Sequence, residues 1–379
     1  MTGDPVLVVS GEPLWPSTHG GRIRTARLAA GIGRRVPIRV VAPVEGEPET
    51  DAAVVPLPPP LPSSRLRLIA AARPRLGQLL FDERRREVLT RAVRDLRPCA
   101  VLFAHSYMAA MAPELGVPTV IDLHDLEVRR MASFSGLGGP RARAAHAIEL
   151  LKARRWEPVV ARRAALCTTP SEVEATLLRS WGASVVLVPH GSDAAPLAPS
   201  PGHGPVTYVA SFSYGPNLQA ARWVMQELWP RLRRAEPSIR LRLVGRDAGR
   251  CRGTESVPDG VEVVSDPSCM DAYYREASVV LAPVRAGGGA QVKVTEALAR
   301  ARVVVATPFS TASAPERARS AVLLADQPEE FAAAVLHLWR DTEERHQLEN
   351  VLRERRPVPT WAQTCAPLVT ALEGMLSRA

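Results

Sequence analysis

Lysine is almost missing from this chain: of 48 basic residues among 379, only Lys152 and Lys293 are lysines, so 46 are arginine. A GC-rich genome produces that bias, and it makes each lysine that remains worth a question. Cysteine is scarce too. Cys99, Cys167, Cys251, Cys269 and Cys365 are odd in number and include no C-x-x-C pair, which argues against a disulfide framework or a thiolate metal site and leaves all five as small buried hydrophobes. No run approaches 18 uninterrupted apolar residues, and the opening MTGDPVLVVSGEPLWP lacks the basic flank and apolar core of a signal peptide, so a cytoplasmic protein is expected. Ser-His-Asp spacing, a P-loop and H-E-x-x-H are all missing, which disfavours hydrolase, kinase and zinc-protease chemistry.

Charge is present in excess, and it is unevenly placed. The net charge is +9, of which residues 1–195 hold +7. Within that half, Arg65–Arg97 carries ten arginines against four acids. Phe81 is the lone aromatic there, so the base-stacking partners of a single-strand binder are missing and no nucleic-acid partner is expected. The segment reads as a solvated helix face, as a site for an acidic acceptor, or as a peripheral contact with an anionic membrane at its inner face.

Short β-branched runs alternate with longer helical patterns from end to end, which is the signature of βαβ units and parallel sheets. Strands are expected at Val6–Ser10, Ile38–Ala42, Ala100–Ala104, Thr119–Leu123, Ala165–Thr168 and Val185–Val188. A second series follows at Val206–Phe212, Arg240–Val244, Val261–Val264, Val279–Pro283 and Val303–Thr307, with a helix over Asn217–Arg234. The stretch between the two series is rich in Pro and Gly and reads as a linker. The α/β reading is therefore two doubly wound, Rossmann-like domains facing across a cleft: residues 1–195, a linker 196–205, residues 206–355, and a final amphipathic helix in 356–379.

The most informative stretch is VVLAPVRAGGGAQVKVTEALA. Gly287, Gly288 and Gly289 leave a strand and enter a helix, where bare backbone N–H groups and a positive helix end suit a diphosphate. Arg285 and Lys293 flank the loop with two cations. Glu296, one turn further on, suits a pair of vicinal ribose hydroxyls. Earlier in the chain His124 ends a strand between Asp122 and Asp125, which would orient its ring; His105 and His19 are the lesser histidine candidates.

The pattern formed by Pro283, Arg285, Gly287, Gly289, Lys293, Glu296 and Ala297 resembles the donor loop P-x-R-x-G-x-G-x-x-x-K-x-x-E-A of family 4 glycosyltransferases of the GT-B fold. Gly20-Gly21-Arg22 is similar to the family's glycine pair at the donor phosphates, and VIDLHDLE to the segment whose histidine faces the donor sugar. VLVPHGSD, the segment from Tyr214-x-Pro216-Asn217, and Trp361 with the tail helix are similar to further family features, the last being a helix that crosses back onto the first domain. The family's E-x7-E would put its first Glu at 288, where this chain has Gly288. An Arg and a Lys that many members carry after the first donor-domain strand are missing from SFSYGPN.

The resemblance implies a retaining, metal-independent glycosyltransferase that moves a sugar from a nucleotide diphosphate sugar to a hydroxyl acceptor: a cell-envelope glycan, a lipid-linked intermediate or a secondary metabolite. His124, Arg285 and Lys293 would act at the reacting centre, and Gly20, Gly21, Gly287, Gly288, Gly289 and Glu296 would hold the donor, with no cofactor. Two other readings share the architecture: a non-hydrolysing nucleotide-sugar epimerase, which needs no acceptor, and a catalytically inactive GT-B binding protein.

Overall fold

A computed structural model describes residues 4–17, 19–45, 52–62, 71–80, 82–111, 115–252, 256–311 and 314–377. Arg65, Arg67 and Phe81 of the basic segment lie outside the described residues. The chain forms two compact units: residues 1–189 with 287–289 and 361–379, and residues 190–286 with 290–360. The tripeptide Gly287–Gly289, which the sequence places inside the second domain, groups with the first unit.

Seven parallel strands build the first unit: β1 (Val6–Val9), β2 (Ile38–Ala42), β3 (Val54–Pro56), β4 (Ala100–Ala104), β5 (Thr119–Asp122), β6 (Leu166–Thr169) and β7 (Val185–Leu187). Their order is β3-β2-β1-β4-β5-β6-β7. VLVV and AVLFA are buried along their whole length, as strands covered on both faces must be, so their sequences are continuous apolar runs rather than alternating ones. The order reverses between β1 and β4, and ligands of doubly wound sheets gather at the strand carboxyl ends beside such a reversal. The tail helix Trp361–Leu376 belongs to this unit. Trp361, Cys365, Leu368 and Leu372, spaced by four, three and four residues, enter the core along one helix face. Gly31 admits this helix: a Cβ there would lie 2.8 Å from Cys365 Sγ.

The second unit repeats the plan with β8 (Val206–Val209), β9 (Leu241–Gly245), β10 (Val261–Ser265), β11 (Val279–Ala282), β12 (Val304–Ala306) and β13 (Val322–Leu324), all parallel, in the order β10-β9-β8-β11-β12-β13. Each of the eleven expected strands forms, most of them a residue or more shorter than the apolar run that marks it. β3 and β13 have no counterpart in the sequence reading. They are three-residue edge strands, and β3 ends in Pro56, which an edge tolerates because no partner needs its N–H.

The expected helix over Asn217–Arg234 is found as Gly215–Trp223, a π-helical turn over Val224–Leu228, and Trp229–Ala235. The wide turn comes just before Pro230, whose ring and missing N–H break the α-helical ladder. The cysteine expectation fails at one position. Cys167, Cys251 and Cys365 are buried and Cys99 is partly buried, but Cys269 is exposed, in the loop that follows edge strand β10. No helix among the described residues is long and apolar enough to cross a membrane.

Candidate functional site

In the first unit the carboxyl ends of β4 and β5 carry His105 and the Asp122–His124–Asp125 turn. Asp122 ends β5 fully buried and is held on three sides. Arg24, from the helix Gly20–Gly33, donates Nη2–H to Oδ1 at 2.7 Å and Nε–H to Oδ2 at 2.9 Å, and its Nη1 reaches the Val188 carbonyl at 2.8 Å. Thr168 on β6 donates its hydroxyl to Oδ1 at 2.5 Å. Burial alone would raise the Asp122 pKa, but the Arg24 charge and the His124 hydrogen bond win and hold it far below the carboxylate range.

His124 stands on this anchor. Its Nε2 lies 3.1 Å from Asp122 Oδ2 and 3.3 Å from Thr25 Oγ1. A carboxylate at Nε2 favours the tautomer protonated there, so Nδ1 keeps its lone pair. That nitrogen faces Gly21, where an added Cβ would come within 3.3 Å of it, so the second glycine of the pair leaves room for the ring. The structure thus brings together Gly21 and His124, which the sequence singles out separately. The sequence reading did not single out Arg24, whose only sequence signal is an arginine in a helix that otherwise reads as apolar on that face.

His105 sits beside His124, with ring centroids 4.9 Å apart, and stacks on Tyr107 at 4.4 Å. Its backbone has φ 80°, a left-handed value that side chains rarely adopt, and such strain is held only where the surroundings enforce it. Burial lowers its pKa to about 4, so it is neutral at physiological pH. Behind it, Glu127 accepts from the Tyr107 hydroxyl at 2.6 Å and from Arg130 Nε at 2.8 Å. Glu157 caps the helix Glu127–Phe134 by accepting the N–H groups of Glu127 and Val128, and burial pushes its carboxyl up to about 8. Within the same unit Gly287 donates its N–H to Ser133 Oγ at 2.9 Å. Gly287 and Gly289 have φ of 134° and 70°, which explains glycine at both.

The second unit presents a different polar centre. Lys293, in the first turn of the helix Val292–Ala299, is buried under the carboxyl ends of β8 and β11. Its ammonium donates to Gln291 Oε1 at 2.8 Å and Asn217 Oδ1 at 2.9 Å, and lies 5.6 Å from the centre of the Tyr208 ring. All three are neutral, and no carboxylate pairs with it among the described residues. Burial therefore lowers its pKa to about 7. Asn217 is itself fixed by donating Nδ2–H to the Ser211 carbonyl at 2.8 Å. The sequence reading noted Asn217 without giving it a role, and it missed Gln291.

Glu296, one turn beyond Lys293, is partly buried; burial raises its pKa against the pull of the nearby Arg300 charge. Arg285 is oriented elsewhere in this structure: Nε donates to Asp326 Oδ1 at 3.2 Å, and the guanidinium lies 3.8 Å over the Trp223 ring. Its charge is thus already partly countered, whereas that of Lys293 is not. Among the described residues no group of three or more His, Cys, Asp or Glu could hold a metal ion.

The basic segment of the first unit also changes meaning in three dimensions. Arg85 is fully buried, Arg84 pairs with Asp82 at 2.9 Å, Arg86 lies 3.5 Å from Glu83, and Arg94 pairs with Asp95 at 2.9 Å. The helix Glu83–Leu96 therefore neutralises most of its own charge.

Comparison with known proteins places the chain in a family. Residues 19–191 match the glycosyl transferase 4-like domain and residues 205–341 match glycosyl transferases group 1. No curated protein sequence matches the chain. Among solved structures, it is similar to a sucrose-phosphate synthase from Thermosynechococcus elongatus, with TM-score 0.76 at 15% identity over 100% of both chains. It is also similar to HepE from Anabaena, solved with UDP and glucose, with TM-score 0.67 at 12% identity over 97% of this chain and 99% of that one. A protein from Listeria monocytogenes named as a UDP-N-acetylglucosamine 2-epimerase shares the fold at TM-score 0.59 and 11% identity, over 99% of this chain and 98% of that one. With a 4-like domain followed by a group 1 domain on two Rossmann-like sheets, the chain belongs to the family 4 glycosyltransferases of the GT-B fold.

Proposed function

We propose that the protein is a retaining glycosyltransferase that moves a sugar from a nucleotide diphosphate sugar to a hydroxyl acceptor without a metal ion. The observation that carries this reading is Lys293, a buried ammonium whose described partners are all neutral, in the first turn of a helix that follows a glycine loop. Such a cation is costly until an anion arrives, and a diphosphate supplies one. Glu296 receives the ribose hydroxyls, and Arg285, once released from Asp326, adds a second cation in the segment after β11.

In this mechanism the bond from the anomeric carbon to the phosphate oxygen breaks as the acceptor oxygen bonds to the same face. The acceptor's proton passes to the departing diphosphate, so no enzyme carboxylate is needed as nucleophile. Lys293 stabilises negative charge that grows on the phosphate in the transition state. His124 offers a lone pair on Nδ1 to a donor-sugar hydroxyl, beside Gly20 and Gly21, and its anchor to Asp122 and Arg24 fixes the ring before substrate binds.

A panel of nucleotide diphosphate sugars tested by thermal shift identifies the donor, since a ligand at 100 times its dissociation constant stabilises by about 2.7 kcal/mol. Proton NMR of the product made from that donor and an alcohol acceptor then reads the anomeric configuration. An inverted product rejects the proposed mechanism. Donor alone converted to a new epimer makes the protein an epimerase, and tight donor binding with no turnover over a broad acceptor panel makes it a binding protein.

A further inference from the structure

The helix Pro140–Arg163 exposes six arginines, Arg141, Arg143, Arg154, Arg155, Arg162 and Arg163. None has a carboxylate partner among the described residues. Both acids of the helix are turned elsewhere: Glu157 is buried under the Glu127–Phe134 helix, and Glu149 accepts from Lys152 Nζ at 3.0 Å and from the Arg75 N–H at 2.6 Å. Three large apolar side chains interrupt this cationic surface, Ile148 at 43% exposure, Leu151 at 50% and Val159 at 38%. Steps of three or four residues align Ile148, Leu151, Arg155, Val159 and Arg162 along one helix face.

Exposed apolar groups and unpaired cations interleaved on one face ask for a surface that offers anions and hydrocarbon at nearly the same depth. A bilayer with acidic headgroups does so: a helix lying in its interface buries apolar side chains just below the phosphates while arginines stay among them. A nucleic acid would answer the charge but not the aliphatic groups. The helix's one aromatic, Trp156, is partly buried and stacks with Tyr107 at 6.5 Å, so no ring is presented for base stacking.

We propose that the Pro140–Arg163 helix docks the enzyme on an anionic bilayer, with Ile148, Leu151 and Val159 entering the interface and the six arginines lying among the lipid phosphates. The contact differs from the one the sequence suggests, since the arginines of the Glu83–Leu96 helix are largely paired or buried. It concerns a surface rather than the reaction, so it stands or falls independently of turnover.

Cosedimentation of the full chain with vesicles tests this, using phosphatidylcholine alone and phosphatidylcholine with about one third phosphatidylglycerol, at about 0.15 M salt. Binding is expected on the acidic vesicles only. The pair Arg155→Glu and Arg162→Glu should lower partitioning at least tenfold, as roughly 1 kcal/mol per arginine implies. Ile148→Ser with Leu151→Ser should lower it several-fold at unchanged charge, whereas Arg91→Glu with Arg94→Glu on the paired helix should leave it as it was. All these positions are exposed or at the surface, and an unchanged melting temperature for each variant shows that folding is not the cause. The proposal is overturned if the wild type ignores acidic vesicles or if the two arginine pairs lose binding equally. It is overturned equally if the serine variants bind as wild type while a single-stranded oligonucleotide competes with the vesicles, which would make the face a polyanion site.

Discussion

Each unit buries charge at the carboxyl edge of its sheet, and the two do so in opposite ways. Asp122 in the first unit is matched by Arg24 in a two-pronged ion pair, with Thr168 and His124 completing its hydrogen bonds. Lys293 in the second has only neutral acceptors and an aromatic face among the described residues. The first centre is complete within the protein and serves to hold His124 still. The second keeps an unbalanced charge, which costs stability in the free protein and, under the proposed function, lends affinity to diphosphate binding. The compensated charge at Asp122 is thus a structural part, and the uncompensated one at Lys293 is where we propose that a ligand's charge enters.

The largest effect should come from breaking the compensated centre. Arg24→Ala leaves the Asp122 carboxylate buried without its cation, and denaturant unfolding should show a loss of about 3–5 kcal/mol. A loss below about 1 kcal/mol would mean that water already screens the pair, and the contrast between the two centres would fail.

Lys293→Met should do the reverse. Unfolding stability at neutral pH should hold or rise, because an unmatched cation is removed, while kcat with the identified donor falls by about 10²–10³. Equal losses of donor affinity and kcat/KM with kcat intact would assign Lys293 to ground-state binding instead.

Glu296→Gln should weaken donor binding by about 1–3 kcal/mol in calorimetry, with little change in the melting temperature of the free protein. An unchanged affinity would remove Glu296 from the ribose site.

A further test is a pH slope. The folded-state pKa of Lys293, about 7, lies below the value of 10.5 for a free lysine. Between those values the unfolded chain binds the extra proton, so stability attributable to this residue rises with pH, and below the folded pKa its pH dependence ends. The stability difference between Lys293→Met and wild type should therefore shrink as the pH is raised from 7 to about 10. A diphosphate bound beside Lys293 should reverse the shift, so that donor binding near pH 8 takes up protons, measurable by calorimetry in buffers of different ionisation enthalpy.

Much of this architecture is legible in the chain itself. Continuous apolar runs such as VLVV and AVLFA mark strands buried on both faces, and Gly287, Gly289 and Lys293 mark the loop where a diphosphate is proposed to bind, because positive φ and a retained lysine leave a trace in composition. β3, which ends in Pro56, and β13 are not read from the chain, although the equally short β7 and β12 are. Charge counting misled as well. It saw the basic segment around Arg84, Arg85 and Arg86 but not that Arg85 is buried or that Asp82 and Glu83 lie against its neighbours.

What the sequence determined by itself is the alternation of strands and helices and the glycine loop, since each depends on residues near one another along the chain. Tertiary structure alone decided which charges are matched. Arg24 and Asp122 are 98 positions apart and Lys293 and Asn217 are 76, and the exposed arginines of Pro140–Arg163 have no carboxylate partner among the described residues because both acids of that helix are taken up elsewhere. Charge compensation is a property of distances in space, and those are set only when the sheets have assembled.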